Sequence, residues 1–353
     1  MAAILKIYDK HDAVAWNDCV KSFENWDIYY LYEYAYSFML HGDGDIFLIY
    51  FENGEERFCY VVMQQDIAAF NKFEGKLEKG KLFDWETPYG YGGPLTDMTI
   101  STETQKLFMK EISSYCKESN VVSQFVRFHP LLDNHMTLPE VFETRYLRDT
   151  IYIDTSDKEL IMSNMDSKNR NMVRKAKKSN VVVVRKDINE IDDFISMYNE
   201  TMKKNEAEEY YIFDRKYFDY LTALKENAGI FYAVYDGQPI SGAIMYYNAN
   251  YMHYHLAGSN TEYRKYAPNN LLLYEAACWA CEHGIKKLHL GGGMSSDDSL
   301  FGFKKQFNLH GRCSFVVGRT IFNLEGYNKL LRIRKQINSE FDINNEFMIQ
   351  YRR

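Results

Sequence analysis

Residues 251–307 combine side chains that can move protons with backbone that can approach a ligand closely. His253 and His255 lie two positions apart in an alternating stretch, so both are expected on one face of a strand. A histidine can accept a proton near physiological pH, and Asp297 and Asp298 are alternative bases. Histidines that only form hydrogen bonds in a wall, and aspartates in an exposed turn, would show the same pattern, so both interpretations stay open.

A strand, a helix and a second strand are predicted to position these groups. Residues 251–256 predict the first strand, and Pro268 suits the first turn of a helix, where its missing N–H costs nothing. The helix is expected to continue to about Glu282. Residues 286–290 predict the second strand, and glycines follow at 291–293. Such a β-α-β unit leaves a crevice at the carboxyl ends of its two parallel strands, where ligands bind.

This order of elements resembles the second half of the FemAB-like branch of the GNAT acyltransferase superfamily. The resemblance is carried by the loop, proline, helix, glycine and strand in that order, then by LGGG, acidic residues and SLFGFKKQF. Upstream, SKNRNMVRKAKKSNVVVV at 167–184 resembles the basic helix that opens this half of the family. PYGYGGP at 88–94 and FVRFHPLLDN at 125–134 resemble its non-peptidoglycan members. The resemblance covers nearly the whole chain and implies an acyltransferase.

The resemblance also implies where a donor and a catalytic lysine would lie. Lys304 aligns with the lysine of the family's F-K-x-x-F element, which is implicated there in stabilising the charged intermediate. An exposed lysine on a short helix is the alternative. In GNAT proteins the pyrophosphate of the donor lies at the amino end of the helix, whose free N–H groups attract phosphate. The donor-binding residues implied in this way are Pro268, Asn269, Asn270, Tyr254 and Lys305.

The motif for the donor departs from that of ordinary acetyl-CoA-dependent GNAT proteins. This chain has YRKYAP at 263–268 in place of Q/R-x-x-G-x-G/A, so the donor could be an acyl thioester such as acyl-CoA or an aminoacyl-tRNA. The chain has no long insertion with a heptad pattern, so the helical arm of some peptidoglycan aminoacyltransferases is not expected. Together with the net charge of −7 and PYGYGGP, this favours a donor other than tRNA. No permanently bound cofactor is expected.

A basic helix is the first candidate for binding the acceptor. Residues 167–178 carry six cations and no acid, and Arg170 and Arg174 lie one turn apart on the same face. Like charges repel one another unless an anionic ligand compensates them. A solvated surface helix is the alternative interpretation.

A second group of acceptor candidates lies in the first half of the chain. Tyr89 and Tyr91 alternate with glycines, Arg127 lies in a strand predicted at 121–128, and His129 follows that strand. The rings could stack on a sugar, and Arg127 could bind a phosphate or carboxylate. A tight turn with packed tyrosines would show the same residues.

A long internal repeat predicts two domains of one architecture. Asn-Gly and Asp-Gly turns between apolar runs predict hairpins at 45–67 and 230–248, each followed by a strand-like or glycine-rich stretch, a helix and a strand. A chain of 353 residues also exceeds the size that one core usually supports. We expect a mixed α/β fold with tandem GNAT-like domains. The N-terminal domain, 1–155, would lie on the acceptor side without a donor site, and the C-terminal acyltransferase domain, 156–353, would end in short helices.

Composition and cysteine spacing narrow the class of protein. The six cysteines are scattered, and Cys278 and Cys281 form a C-x-x-C inside a predicted helix with no second ligand pair, which favours core thiols over a metal or redox site. The acidic net charge argues against a DNA-coating protein. The apolar run at the start is too short for a signal peptide, and no window is long enough for a membrane span. These features predict a soluble cytoplasmic protein.

Two hypotheses of function follow. The leading one is direct transfer of an acyl or aminoacyl group, in a ternary complex, to an amine of a cell-envelope precursor such as an amino sugar or a peptidoglycan peptide. Direct attack is expected because no Ser or Cys lies in an activating motif. The alternative is a non-catalytic protein that binds a nucleotide-sugar or another envelope precursor. The two differ in whether Lys304 and the helix start at Pro268 face one cleft.

Overall fold

The computed structural model describes residues 3–73 and 75–353, and contacts divide the chain into two units. The first unit joins the described residues up to Leu147 with Phe315–Arg353, and the second unit is Arg148–Ser314. The predicted boundary after residue 155 is therefore displaced by a few residues. The prediction that the C-terminal helices belong to the second domain is wrong, because their contacts lie in the first unit.

Strands and helices alternate along both units. The strands are β1 (Ile4–Tyr8), β2 (Asp45–Asn53), β3 (Glu56–Asp66), β4 (Phe83–Glu86), β5 (Val121–Arg127), β6 (Glu143–Asp154), β7 (Val182–Asp187), β8 (Ala228–Tyr235), β9 (Gln238–Tyr247), β10 (Tyr251–Ser259), β11 (Lys287–Gly291) and β12 (Arg312–Ile321). The helices are α1 (Ala13–Lys21), α2 (Tyr32–His41), α3 (Thr102–Glu118), α4 (Lys158–Ser163), α5 (Ser167–Lys178), α6 (Asp192–Lys204), α7 (Arg215–Leu221), α8 (Pro268–Glu282), α9 (Ser299–Lys305) and α10 (Leu324–Ile337). Within the described residues, no helix combines the length and the apolar character that crossing a membrane requires.

The first unit has a mixed sheet with the strand order β1-β2-β3-β4-β5-β12. Strands β4 and β5 run parallel, and the other neighbours run antiparallel. The hairpin β2–β3 turns at Gly54, whose φ of +65° suits glycine. Trp85, Phe108 and Val126 are among the buried residues that pack α3 against the sheet.

The second unit repeats this arrangement with the order β7-β8-β9-β10-β11-β6. Strands β10 and β11 are its parallel pair, and the hairpin β8–β9 turns at Asp236 and Gly237. Helix α8 buries Leu272, Ala276 and Cys278 in the core of this unit. The repeated architecture predicted from the sequence is confirmed, and the fold is mixed α/β with two units of one strand order.

The sixth strand of each sheet explains why a single cut in the sequence does not separate the units. Strand β12 pairs with β5 in the first unit although it follows the second unit in the chain, and β6 pairs with β11 in the second unit although it precedes that unit's other strands. Both strands escaped the sequence analysis. Their partners are distant in the sequence, so no local turn signal marks the pairing.

A buried ion-pair network ties the C-terminal residues to the first unit. The guanidinium of Arg352 lies 2.7 Å from Asp84 and 2.7 Å from Glu86, both on β4. Tyr351 donates a hydrogen bond to Asp84, and Leu330 of α10 packs in the same cluster. Burial raises the pKa of Asp84, and the charge of Arg352 opposes that shift. Removing the C-terminal residues would leave these carboxylates buried without their partner, which is strongly destabilising.

Candidate functional site

The amino end of α8 leaves its backbone N–H groups without a side-chain cap. Ala267 is the N-cap residue in the left-handed conformation, Pro268 begins the helix, and the first turn contains no acid. The side chain of Asn269 accepts a hydrogen bond from the Ser241 hydroxyl on β9. Asn270 donates to the side-chain oxygen of Asn169 at 2.6 Å. These side chains anchor the helix start, while its N–H groups and dipole remain suited to an anion.

Asn169 connects this helix start to the segment that carries Lys304. It is buried on α5, and its amide donates to the carbonyl of Gln306 at 3.3 Å. The backbone N–H of Asp166 donates to the same carbonyl at 2.9 Å. Asn169 was not predicted as a site residue, although an asparagine on the same helix face as Val173 and Ala176 is a signal visible in the sequence. It joins α8, α5 and the end of α9 within the second unit.

Lys304 is buried rather than exposed. Only 8% of the residue is accessible, and its Nζ donates to the carbonyl of Gly292 at 2.7 Å. The ammonium lies 5.8 Å from the ring centroid of Tyr254 on β10, within cation–π range. Burial lowers the pKa of Lys304 to about 8, and the charge of Asp298 opposes this. The alternative of a solvated surface lysine is therefore wrong. Lys305 beside it is half-buried.

The turn between β11 and α9 is held by Asp298. Its carboxylate accepts hydrogen bonds from the backbone N–H groups of Met294, Ser295 and Phe301. These bonds lower the pKa of Asp298. A Cβ on Gly293 would lie 2.1 Å from an oxygen of Asp298, so a larger residue there would displace this carboxylate from its hydrogen bonds. Asp298 thus acts as the N-cap of α9, while Asp297 lies exposed in the turn with a φ of +56°.

A second charged residue braces the same turn from β6. Arg148 donates hydrogen bonds to the carbonyls of Gly293 and Met294. The carbonyls of residues 292–294 are therefore bound by Lys304 and Arg148, and two of the following N–H groups are bound by Asp298. This arrangement fixes the carbonyl that receives the ammonium of Lys304. Sequence spacing gave no sign of Arg148, because it comes from the strand that enters this sheet from earlier in the chain.

His255 is a hydrogen-bonded wall residue in this structure. Its Nε2 lies 2.8 Å from the hydroxyl of Tyr217 on α7, and its ring centroid lies 4.4 Å from that of Tyr246. Burial lowers the pKa of His255 to about 3, so the ring is neutral at physiological pH and a poor proton acceptor. The pairing of β10 with β9 shifts between Tyr254 and Leu256, so the strict alternation expected along this strand is interrupted at His255.

The other histidine of this strand lies in a separate contact. His253 is buried, and its ring centroid lies 5.8 Å from that of His289 on β11. His289 is in turn 2.9 Å from the hydroxyl of Thr150 on β6. Both histidines lie within the sheet at its parallel pair.

Three of the acceptor candidates of the first unit, Tyr89, Tyr91 and His129, lie in one aromatic layer. Tyr91 lies 6.2 Å from His129 and 5.2 Å from Phe315, measured between ring centroids. His129 is fully buried, with Nε2 3.6 Å from a carboxylate oxygen of Asp27. The carbonyl of Tyr89 accepts a hydrogen bond from a neighbouring tyrosine hydroxyl. The packed turn described as the alternative in the sequence analysis therefore fits these contacts.

Arg127 already interacts with residues of the first unit. Its Nη1 donates to the carbonyl of Thr87 at 2.9 Å, and its Nη2 lies 3.5 Å from Glu86. A ligand carboxylate or phosphate would have to compete with Glu86 for this guanidinium.

The two arginines of α5 differ in their surroundings. Arg170 is half-buried and donates to the carbonyls of Met162 and Met165, which precede the helix. Arg174 is exposed and donates to Asn171 at 3.0 Å. Arg170 therefore stabilises the entry to α5, and only Arg174 has the free exposure that a ligand contact needs.

Comparison with known proteins gives one family match and several similar structures. Residues 163–305 match the family described as acetyltransferase (GNAT) domain. The match covers less than half of the chain and lies within the second unit, so the likeness to a GNAT acetyltransferase domain is a likeness of that part. The acyltransferase predicted from the sequence is thereby confirmed at the level of the domain. No curated protein is significantly similar to the chain in sequence.

Solved structures place the GNAT domain within a larger shared fold. The crystal structure of FemX is 14% identical, with a TM-score of 0.68 over 93% of this chain and 99% of FemX. The C-terminal domain of a lysylphosphatidylglycerol synthetase, described as putative, from Agrobacterium fabrum is 12% identical, with a TM-score of 0.57 over 88% of this chain and 92% of that domain. A tandem GNAT protein from the clavulanic acid biosynthesis pathway is 8% identical, with a TM-score of 0.50 over 91% of this chain and 99% of that protein. The FemAB-like fold expected from the sequence is confirmed.

The GNAT domain contains the whole set of donor candidates. Tyr254, the α8 start at Pro268, and Lys304 all lie within residues 163–305. Of the acceptor candidates, Arg170 and Arg174 lie inside this span, while the tyrosines, Arg127 and His129 of the first unit lie outside it.

Proposed function

We propose that the chain transfers an acyl or aminoacyl group from an activated donor directly to an amine of a cell-envelope precursor. The observation that carries this proposal is the linkage of two features in the second unit. Hydrogen bonds through Asn169 join the uncapped start of α8 to the segment of buried Lys304. A phosphate-bearing donor needs the first feature, and a developing oxyanion needs a cation such as the second.

The geometry supports a division of roles along β10. The phosphates of the donor would lie at the N–H groups of Asn269 and Asn270, with the acyl chain along the strand towards Tyr254. The ammonium of Lys304 would interact more strongly with the tetrahedral oxyanion than with the neutral carbonyl, which is the condition for raising the rate. The amine would attack directly, because the site offers no activated Ser or Cys nucleophile.

The donor is proposed to be an acyl thioester such as acyl-CoA, with aminoacyl-tRNA as the other candidate. The match to a GNAT domain supports an acyl thioester, and because of the likeness to FemX the test also includes aminoacyl-tRNA. The acceptor is proposed to be an amino sugar or peptidoglycan peptide that contacts Arg174 and the aromatic layer of Tyr89 and Tyr91. A cytoplasmic location is part of the same proposal.

A donor panel tests this function. Purified protein would be incubated with a set of acyl-CoAs and charged tRNAs, each with and without amine-bearing envelope precursors, and donor consumption would be followed. We expect one donor class to be consumed only when an acceptor is present, and the Lys304→Met variant to consume it far more slowly. Saturable binding of a nucleotide-sugar without consumption of any donor would favour the non-catalytic alternative.

A further inference from the structure

Strand β7 leaves one edge of the second unit's sheet open. It pairs with β8 and stands last in the strand order of that unit. Val182 is 55% exposed and Val184 is 37% exposed on this short strand. Edge strands usually carry charges or bulges that prevent another strand from adding to their free N–H and C=O groups. The three charged residues of β7 stand only in its second half, at 185–187, while Val182, Val183 and Val184 form its first half without such protection.

A groove beside this edge runs over one face of β7. Its volume is about 260 Å³, and its lining includes Val183, Arg185, Phe231, Tyr274 and Trp279. Because side chains alternate along a strand, Val183 and Arg185 lie on the same face of β7. Two ion pairs flank the groove, Lys177 with Glu275 at 2.7 Å and Lys158 with Glu282 at 3.0 Å. Those lysines are therefore already compensated.

Arg185 is the cation of this groove that lacks such compensation. Among the described residues, no carboxylate lies within ion-pair distance of it. Its guanidinium donates to the hydroxyl of Tyr247 and lies 5.1 Å from the ring centroid of Trp279. A Cβ on Gly229 would lie 3.3 Å from Nε of Arg185, so glycine makes room for the flat guanidinium. The group is held in place with donors left over for an anion.

The size of the groove decides what kind of ligand fits. Sites for whole small molecules typically measure about 300–1,000 Å³. A groove of about 260 Å³ suits a single side chain better than a complete cofactor. An open strand edge beside a pocket for one anionic side chain is the arrangement that binds an extended peptide, whose backbone pairs with the edge while alternate side chains enter the pocket.

We propose that β7 is a docking edge for an extended acidic segment of a partner protein, whose Asp or Glu carboxylate binds Arg185. The positive charge of Arg185 and the basic helix α5 that precedes β7 favour an acidic partner. This interaction is separate from acyl transfer and does not depend on the proposed reaction.

Fluorescein-labelled peptides test the proposal. The probes are acetyl-Val-Glu-Val-Glu-Val amide, its Gln-for-Glu and Lys-for-Glu counterparts, and the Glu peptide with alternate backbone nitrogens methylated. Fluorescence anisotropy with the full chain measures their affinity. The variant is Arg185→Gln, and the matched control is Lys186→Gln, which removes the same charge from the neighbouring residue on the other face of β7. Lys186 pairs with Glu190 at 3.1 Å.

We expect the Glu peptide to bind wild type and Lys186→Gln equally, and Arg185→Gln about tenfold or more weakly, since hydrogen bonds to charged groups are the strong ones. Alternate backbone nitrogens can be methylated in two registers, and the register whose nitrogens face β7 should abolish binding, because it blocks the backbone hydrogen bonds to that strand.

Equal binding of the Gln peptide, or no loss with Arg185→Gln, would overturn the proposal. Competition by free acetate alone would assign the groove to a small anion. Self-association abolished by Val182→Lys would assign the edge to a second copy of the chain. Either result would replace the peptide as the occupant.

Discussion

The two units share one strand order but begin the corresponding helix differently. In the first unit, the Ser101 side chain caps α3 by accepting a hydrogen bond from the N–H of Thr104, and Glu103 lies in the first turn. In the second unit, α8 begins after Ala267 with no side-chain cap and no acid in its first turn. An anion at the start of α3 would meet the charge of Glu103 and a donor already in use. The start of α8 offers neither obstacle.

The carboxyl ends of the parallel strands also differ between the two units in the hydrogen bonds that they form. In the first unit, Arg127 donates to Thr87, and the N–H of Gly92 donates to the carbonyl of Arg127 at 2.7 Å, so the segment after β4 is hydrogen-bonded to the end of β5. In the second unit, Gly291 ends β11, Gly292 and Gly293 follow it, and Lys304 donates to the carbonyl of Gly292. One architecture thus serves as a closed scaffold in one unit and as a candidate donor site in the other. The candidate donor site therefore depends on helix caps and strand ends, which differ between two units of the same strand order.

The largest expected effect on the rate of transfer comes from removing the charge of Lys304. Lys304→Met keeps a side chain of similar length but removes its charge and its hydrogen bond to Gly292, so we expect only a modest fall in the unfolding temperature. Loss of an oxyanion-stabilising group typically lowers kcat by about 10²–10³. Single-turnover acyl transfer, with the donor identified in the panel, measures this loss.

A lysine of the first unit provides the control for that variant. Lys117→Met alters an exposed residue of α3 and should leave transfer unchanged. Activity of Lys304→Met within a few-fold of wild type would remove Lys304 from the mechanism and break the contrast between the two units.

A smaller effect is expected from giving α8 the acid that α3 already has. Asn269→Asp retains the oxygen that accepts from Ser241, and an acid in the first turn favours the helix, so folding should be preserved. The new charge repels a donor phosphate by roughly 1–4 kcal/mol at 4 Å, so KM for the donor should rise about tenfold or more. Steady-state kinetics with varied donor concentration measures it. Glu103→Gln in the first unit should not alter KM, and an unchanged KM in Asn269→Asp would place the donor elsewhere.

Local signals made much of this site predictable. The helix expected to begin at Pro268 and end near Glu282, and the basic helix at 167–178, have those bounds in the structure. Proline at the first turn, the glycine after the last turn and an apolar stripe of period 3.6 are encoded within each segment. The glycine turn after β11 was also predicted from the sequence, whereas the burial of Lys304 was left open there, because an exposed lysine on a short helix fitted the same residues.

Features set by distant pairing were not predictable. The bulge at His255 depends on how β10 pairs with β9, and alternation along one strand cannot reveal it. Tyr217, the partner of His255, lies on a helix that the sequence analysis did not identify. Arg352 reaches Asp84 across more than half of the chain, so the place of the C-terminal residues could not be read from their local pattern.

The pH dependence of transfer sharpens the role of Lys304. The ammonium is the form that stabilises an oxyanion, so kcat should fall as the pH rises through about 8, the value to which burial lowers the pKa of Lys304. Asp298 opposes this lowering, so Asp298→Asn should move the alkaline limb to lower pH while Asn still caps α9. Between pH 8 and the ordinary value of 10.5, the unfolded state holds a proton that the folded state has lost, so this lysine makes the free energy of unfolding rise with pH. An alkaline limb that is the same in wild type and Asp298→Asn would contradict this assignment.

The smallest effect is expected from His255, which the sequence made a candidate base. Its pKa of about 3 leaves it neutral across the physiological range, and its Nε2 is already paired with Tyr217. His255→Gln can keep a hydrogen bond to that hydroxyl, so kcat should fall only a few-fold and the pH profile above 5 should be unchanged. A histidine that accepted the proton of the amine would instead give an acidic limb near its own pKa, and the limb would vanish in His255→Gln together with most of the rate. pH–rate profiles of wild type and His255→Gln, with Tyr217→Phe as the partner control, separate the two. Loss of a limb near neutral pH in His255→Gln but not in Tyr217→Phe would restore His255 as the base.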